Sequence, residues 1–151
     1  MTKQRLSGTI KTMLLAGLVN CIFVSFVYAA SDEQRGAIIV HPENIANFTK
    51  TEIRKIFLGQ LNYYDNNIRI LPMLSFEHLE LRTRFNETII NKSNRQMRAY
   101  WAKQVFTGKG KPPAELKDSE LVENVSQNQA AIGLVPIDAI DNKKVRVILE
   151  F

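Results

Sequence analysis

Phe48-Thr49-Lys50-Thr51-Glu52-Ile53-Arg54-Lys55-Ile56-Phe57-Leu58-Gly59 is the most densely specified local structure in the chain. Thr49 followed by Glu52 has the spacing of a capping box, in which the hydroxyl accepts an orphan N–H and the carboxylate reaches back to the cap. Ile53, Ile56 and Phe57 fall on one face at helical spacing, with Lys50, Arg54 and Lys55 toward water. Gly59 supplies the left-handed residue that ends many helices. Taken alone, the stretch predicts a short, well-capped amphipathic helix and carries no chemistry.

The segments around it set the fold class. Ala37-Ile38-Ile39-Val40 is a continuous apolar run, as in a strand covered on both faces, and His41-Pro42 ends it. Beyond the helix, residues 62–67 read as a turn and 68–71 as a second strand closed by Pro72. Ser75 is expected to cap a longer helix running to about Asn91, with Leu81, Phe85 and Ile89 as its core face. After a break at Asn91-Lys92, Ser93 caps a helix to about Thr107, with Met97, Trp101 and Val105 inward and Tyr100 alongside. Residues 108–113, Gly-Lys-Gly-Lys-Pro-Pro, form a loop. Residues 118–127 predict a helix with Leu121, Val122 and Val125 inward, and 130–135 and 145–149 predict strands. Strand and helix thus alternate, and the strands are too uniformly apolar for a one-sided sheet. That predicts a three-layer α/β domain with a mostly parallel sheet over residues 37–151. In such folds ligands collect at the carboxyl ends of strands, beside helix N-termini.

The chain has 151 residues, which suggests one domain. Its beginning reads as an export signal. Lys3, Arg5 and Lys11 are basic, no acid precedes Asp32, and an apolar region runs from Met13 to Val27. Val27-Tyr28-Ala29 places small residues where a signal peptidase reads them. A signal peptide over residues 1–29, cleaved after Ala29, is expected, then a flexible leader over 30–36; an uncleaved N-terminal anchor is the alternative. The apolar run falls short of the roughly 18–20 residues of a spanning helix. Periplasmic export follows. Cys21, the sole cysteine, follows Asn20 where a lipidated cysteine needs a small neighbour, so it reads as an apolar residue of a discarded segment. Without it there is neither disulfide nor thiol site. Three of the 20 Lys and Arg residues and none of the 15 acids lie in the signal, leaving 17 − 15 = +2. So modest a charge on an exported protein argues against a nucleic-acid partner.

Catalytic and metal motifs are lacking. His41 and His78 are the only histidines, and neither has metal-ligand spacing with another donor; no enzymatic activity, cofactor or metal is expected. Gly108-Lys109-Gly110-Lys111 lacks the glycine spacing of a phosphate loop, and Pro112 stands where Ser or Thr belongs. Arg82, Arg84, Arg95 and Arg98, with Tyr100 and Trp101 nearby, read either as a basic, aromatic surface or as arginines solvating outer helix faces. Four glycosylation sequons, beginning at Asn47, Asn86, Asn91 and Asn124, read as coincidence in a bacterial-looking chain.

In order along the chain, Phe48–Gly59, Arg82-Thr83-Arg84-Phe85, Trp101–Pro113 and Asn128-Gln129-Ala130-Ala131-Ile132-Gly133-Leu134-Val135 resemble segments of the periplasmic phosphate-binding proteins of ABC transporters. The set is closer still to small, single-lobe members of that type II periplasmic-binding-protein group. The resemblance implies one lobe of a two-lobed clamshell that closes over an anion, with an ABC permease or another periplasmic protein as partner. A second copy of the chain in a homodimer, or another protein, is then needed to complete the cleft. The family holds phosphate partly with a Ser-Gly-Thr at a helix N-terminus; here the corresponding place reads Leu81-Arg82-Thr83. Ser75, Arg82 and Thr83, with Arg84 second, are therefore the candidate ligand residues for phosphate or a related oxyanion. Hydroxyls would orient the oxyanion, and an arginine would bind it bidentately. A helix beginning near Ser75 leaves those backbone N–H groups already used: either it begins later, or the anion site is lost. The second function on this reading is a periplasmic interaction module that kept the lobe and gave up the ligand.

Overall fold

The computed structural model describes residues 35–151, so the expected signal peptide and all but the end of the expected leader lie outside it. β1 (Gly36–Val40) is followed by α1 (Lys50–Phe57), β2 (Leu71–Ser75) and α2 (Leu79–Phe85), which continues as a π-helical turn over Asn86–Ile90. Then come α3 (Asn94–Phe106), β3 (Ala114–Leu116), α4 (Asp118–Gln127), β4 (Ala131–Pro136) and β5 (Arg146–Glu150).

The strands form one sheet in the order β3-β2-β4-β1-β5. β2 is parallel to β3 and β4, whereas β1 is antiparallel to β4 and β5. All strands except β1 therefore point the same way. The two central apolar strands divide their side chains between two cores. Ile38 and Val40 of β1 and Ile132 and Leu134 of β4 face α1 and α2, meeting Ile53, Ile56, Phe57, Phe85 and Ile90. Ile39, Ala131 and Val135 face the opposite way, against Leu121, Val122 and Val125 of α4. That is the three-layer α/β arrangement expected of strands apolar on both faces.

α1 forms as its sequence dictates. Thr49 Oγ1 accepts the Glu52 N–H at 3.2 Å, and the Glu52 carboxylate accepts the Thr49 N–H at 2.8 Å. Ile53, Ile56 and Phe57 are buried, and Gly59 has φ +66°. The end of α1 then meets α3: Tyr100 donates its hydroxyl to the Leu58 carbonyl at 2.7 Å, and a Cβ on Gly59 would stand 3.4 Å from the Trp101 ring. Two segments far apart in sequence, both singled out above, are thus packed against each other.

Four expectations need correction. The second strand lies at Leu71–Ser75, not 68–71, and carries Pro72 inside it. Leu71 donates its N–H to Ala130 on the β4 side, so the donor missing at Pro72 faces the other side. There β3 pairs only from Met73 onward, and the ladder loses nothing. Secondly, Ser75 ends that strand instead of capping a helix, and the helix begins at Leu79. Thirdly, β3 had no expected counterpart, since three residues give no periodicity to read. Lastly, Met97, Trp101 and Val105 do not form a buried face: no residue of α3 is buried, and Val105 is 55% exposed.

Candidate functional site

β2 delivers the chain to the carboxyl edge of the sheet at Ser75, which is buried, and its hydroxyl accepts the Glu77 N–H at 3.2 Å. Phe76 donates its N–H to the Leu116 carbonyl, extending the link to β3. The next two side chains cross to α4. The Glu77 carboxylate accepts the Asp118 N–H at 2.8 Å, at the start of α4, where the helix dipole favours a negative charge. His78 Nε2 lies 2.7 Å from Asp118 Oδ2. The turn is therefore occupied by its own side chains, and its carboxylates hold the position at the α4 terminus that an anion would take in an open site.

In α2 the three candidate residues point to three different places. Arg82 lies in the second turn, its N–H already given to the His78 carbonyl, and its guanidinium is ion-paired with Glu115 of β3. The Thr83 hydroxyl donates to the Leu79 carbonyl at 2.9 Å and accepts from Asn94 Nδ2 at 2.7 Å. Asn94 Oδ1 in turn accepts from Asn86 Nδ2 at 2.8 Å, so Thr83 belongs to a polar tie between α2 and α3. Arg84 turns toward the C-terminus, its guanidinium 6.0 Å from the Phe151 ring centroid.

Arg82 also lines a cavity of about 470 Å³ between α2, α3 and the segment before β3. Phe57, Phe85, Met97 and Trp101 make its apolar wall, and Arg98, Asn86, Asn94 and Glu115 join Arg82 in its polar part. Of the four residues proposed from the sequence, only Arg82 lines this space; Ser75, Thr83 and Arg84 do not. In the sequence Arg98 stands out only as one of a run of arginines. Asn86, Asn94 and Glu115 had no local signal, because each acts through a partner on another element. Among the described residues no group of His, Cys, Asp and Glu is placed to hold a metal ion. No helix among them is long and apolar enough to cross a membrane.

No protein-family model and no curated protein matches the sequence. Solved structures do. An ABC-type phosphate transport receptor from Vibrio cholerae aligns at 20% identity with a TM-score of 0.56, over 75% of this chain and 44% of that one. A Clostridium perfringens protein, assigned as a phosphate ABC transporter substrate-binding protein and solved with bound phosphate, aligns at 17% identity and TM-score 0.56, over 75% and 43%. PstS from Borrelia burgdorferi aligns at 16% and 0.52, over 76% and 47%. The chain spans less than half the length of each. At such identities the likeness is one of fold: this domain has the α/β fold of one lobe of a PstS-like phosphate-binding protein.

Proposed function

We propose that the protein is an exported solute-binding domain that takes phosphate or a similar small oxyanion, with Arg82 as its principal contact. The carrying observation is the lining of the cavity between α2 and α3, where two guanidiniums, Arg82 and Arg98, accompany two side-chain amides and a single carboxylate, Glu115, which is paired with Arg82. The fold shared with proteins named for phosphate supports it, one of them holding the ion. A bidentate arginine contact contributes two charge-assisted hydrogen bonds of ~1.5–3 kcal/mol each. Displacing the partly exposed Glu115 costs about 1 kcal/mol. Roughly 2–5 kcal/mol remains, which places a single lobe near millimolar affinity. A second copy of the chain, an ABC permease or another periplasmic protein is the partner that would close the site and tighten it.

Isothermal titration with phosphate and with sulfate tests this. Weak binding is expected in the parent protein, about fivefold tighter in Glu115→Gln, which frees Arg82 of a charged competitor, and none in Arg82→Gln. Absence of heat at ~10 mM anion in both the parent and Glu115→Gln overturns it. A second reading, a periplasmic interaction module that has given up the ligand, is favoured by the engaged hydroxyls of Ser75 and Thr83 and by the Glu77 carboxylate at the α4 terminus. It predicts silent titrations together with a stoichiometric protein partner, other than a transporter, recovered from periplasmic extract.

A further inference from the structure

Trp101, with Pro112 and Pro113, also lines a more open groove, about 830 Å³ in volume, at the start of β2. This is the opposite end of that strand from Ser75, and nothing in the anion-binding reading uses it. Its walls include Tyr63, Leu71, Trp101 and Val105. Three of these are large apolar side chains well exposed to water: Tyr63 at 53%, Leu71 at 39% and Val105 at 55%. The helical repeat Met97–Trp101–Val105 has the spacing of a buried face, yet no residue of α3 is buried. Met97 at one end of this repeat packs against the core, whereas Val105 at the other stays open to water.

The groove is also built. A Cβ at Gly59 would lie 3.4 Å, and one at Gly110 3.7 Å, from the Trp101 ring, so backbone approaches the indole from two loops. Tyr100 meets Trp101 edge-on at 5.2 Å and is itself tied to α1 through the Leu58 carbonyl. Its charge is one-sided. Arg69, Lys109 and Lys111 line it, and among the described residues no acidic one does. Among the described residues none of these three cations takes part in an ion pair.

We propose that this groove is a docking site for an acidic polypeptide segment, one whose apolar side chains lie on Trp101, Val105 and Leu71 and whose flanking carboxylates meet Arg69, Lys109 and Lys111. Charge complementarity selects an acidic partner. A groove of this volume, walled by Tyr63, Leu71, Trp101 and Val105 with cations from two separate segments, suits an extended chain better than a small anion. Trp101, Tyr63 and Arg69 are of the three residue types most enriched in binding hot spots.

The test uses immobilised protein and two synthetic peptide libraries: twelve-residue peptides rich in Asp, Glu, Leu and Phe, and the same designs with Asn and Gln for the acids. Trp101 is the only tryptophan in the chain and lines both the groove and the cavity, so its emission on titration with an enriched peptide reports binding, and loss of that response in Lys109→Glu/Lys111→Glu assigns it to the groove. Expected are enrichment from the acidic library only, a saturable change in Trp101 emission, and at least about tenfold weaker binding both in Lys109→Glu/Lys111→Glu and at ~0.5 M salt. Both lysines are exposed, so the double variant keeps the fold, and Val105→Asp provides an independent loss. Equal enrichment from the neutral library, or no enrichment, overturns the proposal. So does a Trp101 response confined to phosphatidylglycerol vesicles or to single-stranded oligonucleotide. Phosphate titration of Lys109→Glu/Lys111→Glu keeps the two sites apart, because it should match the parent.

Discussion

Gly133→Ala isolates what holds α4 to the sheet. Gly133 lies in β4 and is paired on both sides, with Met73 of β2 and Ile39 of β1. A Cβ there would fall well inside contact with Leu121 Cδ2, and 3.3 Å from both Leu121 Cγ and Val125 Cγ2. Leu121 and Val125 are fully buried, so neither side chain has a free direction to yield, and α4 must move or Leu121 must leave its rotamer. Overpacking of this kind costs about 1–3 kcal/mol. Against it stands a gain of ~0.4–1 kcal/mol, because alanine has less unfolded-state freedom to lose and φ at this site is not left-handed. The net is a loss of about 1–2 kcal/mol, or roughly 4–8 °C in Tm for a domain of this size, read by circular dichroism melting. Leu121→Ala alone should cost about 2–5 kcal/mol. Added to that background, Gly133→Ala should be neutral or stabilising, giving a coupling of at least ~1 kcal/mol in a double-mutant cycle. An unchanged or raised Tm in the single variant, or additive behaviour in the pair, would refute the close-packing argument.

Thr49→Ala removes the hydroxyl half of the α1 capping box and should destabilise by about 1 kcal/mol, seen as a lower denaturant midpoint at unchanged m-value. The Glu52 carboxyl is held below its ordinary value by its backbone hydrogen bond from Thr49 and then by the hydroxyl contact. Its titration, followed by NMR, should therefore move part of the way back up in Thr49→Ala. Burial pushes the Tyr64 phenol up to about 12 from 10.0. Between those values the folded protein keeps a proton that the unfolded chain releases, so stability is unaffected below pH 10 and falls as pH rises through that window. Tyr64→Phe should flatten this alkaline loss and remove the last tyrosinate absorbance step; a titration of Tyr64 near pH 10 would contradict the burial argument.

Much of the architecture was legible because its causes are local. Thr49 and Glu52 meet within one helical turn, and Ser93 caps the next long helix, so both helix starts stand where the chain writes them; Gln96 adds a second capping box at Ser93. The uniform apolar runs of β1 and β4 announce burial on both faces, from which three layers follow. What misled was punctuation. Pro72 reads as a terminator, yet it sits inside β2 because its missing donor faces a side not yet paired. Ser75 reads as a cap, yet it ends a strand and accepts a hydrogen bond from Glu77 across the turn.

The candidate sites were decided almost wholly by tertiary structure. Arg82, Thr83 and Arg84 are neighbours in sequence, but successive helical residues project about 100° apart, and each is claimed by a different partner: Glu115, Asn94 and the Phe151 side of the domain. Arg82 pairs with Glu115 across 33 positions, a contact no local pattern encodes. The same holds for Trp101. By itself the chain determined that Met97, Trp101 and Val105 share a helix face and that a short capped helix ends at Gly59. Only the folded domain decided that Met97 packs on the core while Val105 stays open, and that the end of α1 supports Trp101. A helix period fixes which side chains lie together; the neighbouring elements fix whether anything covers them.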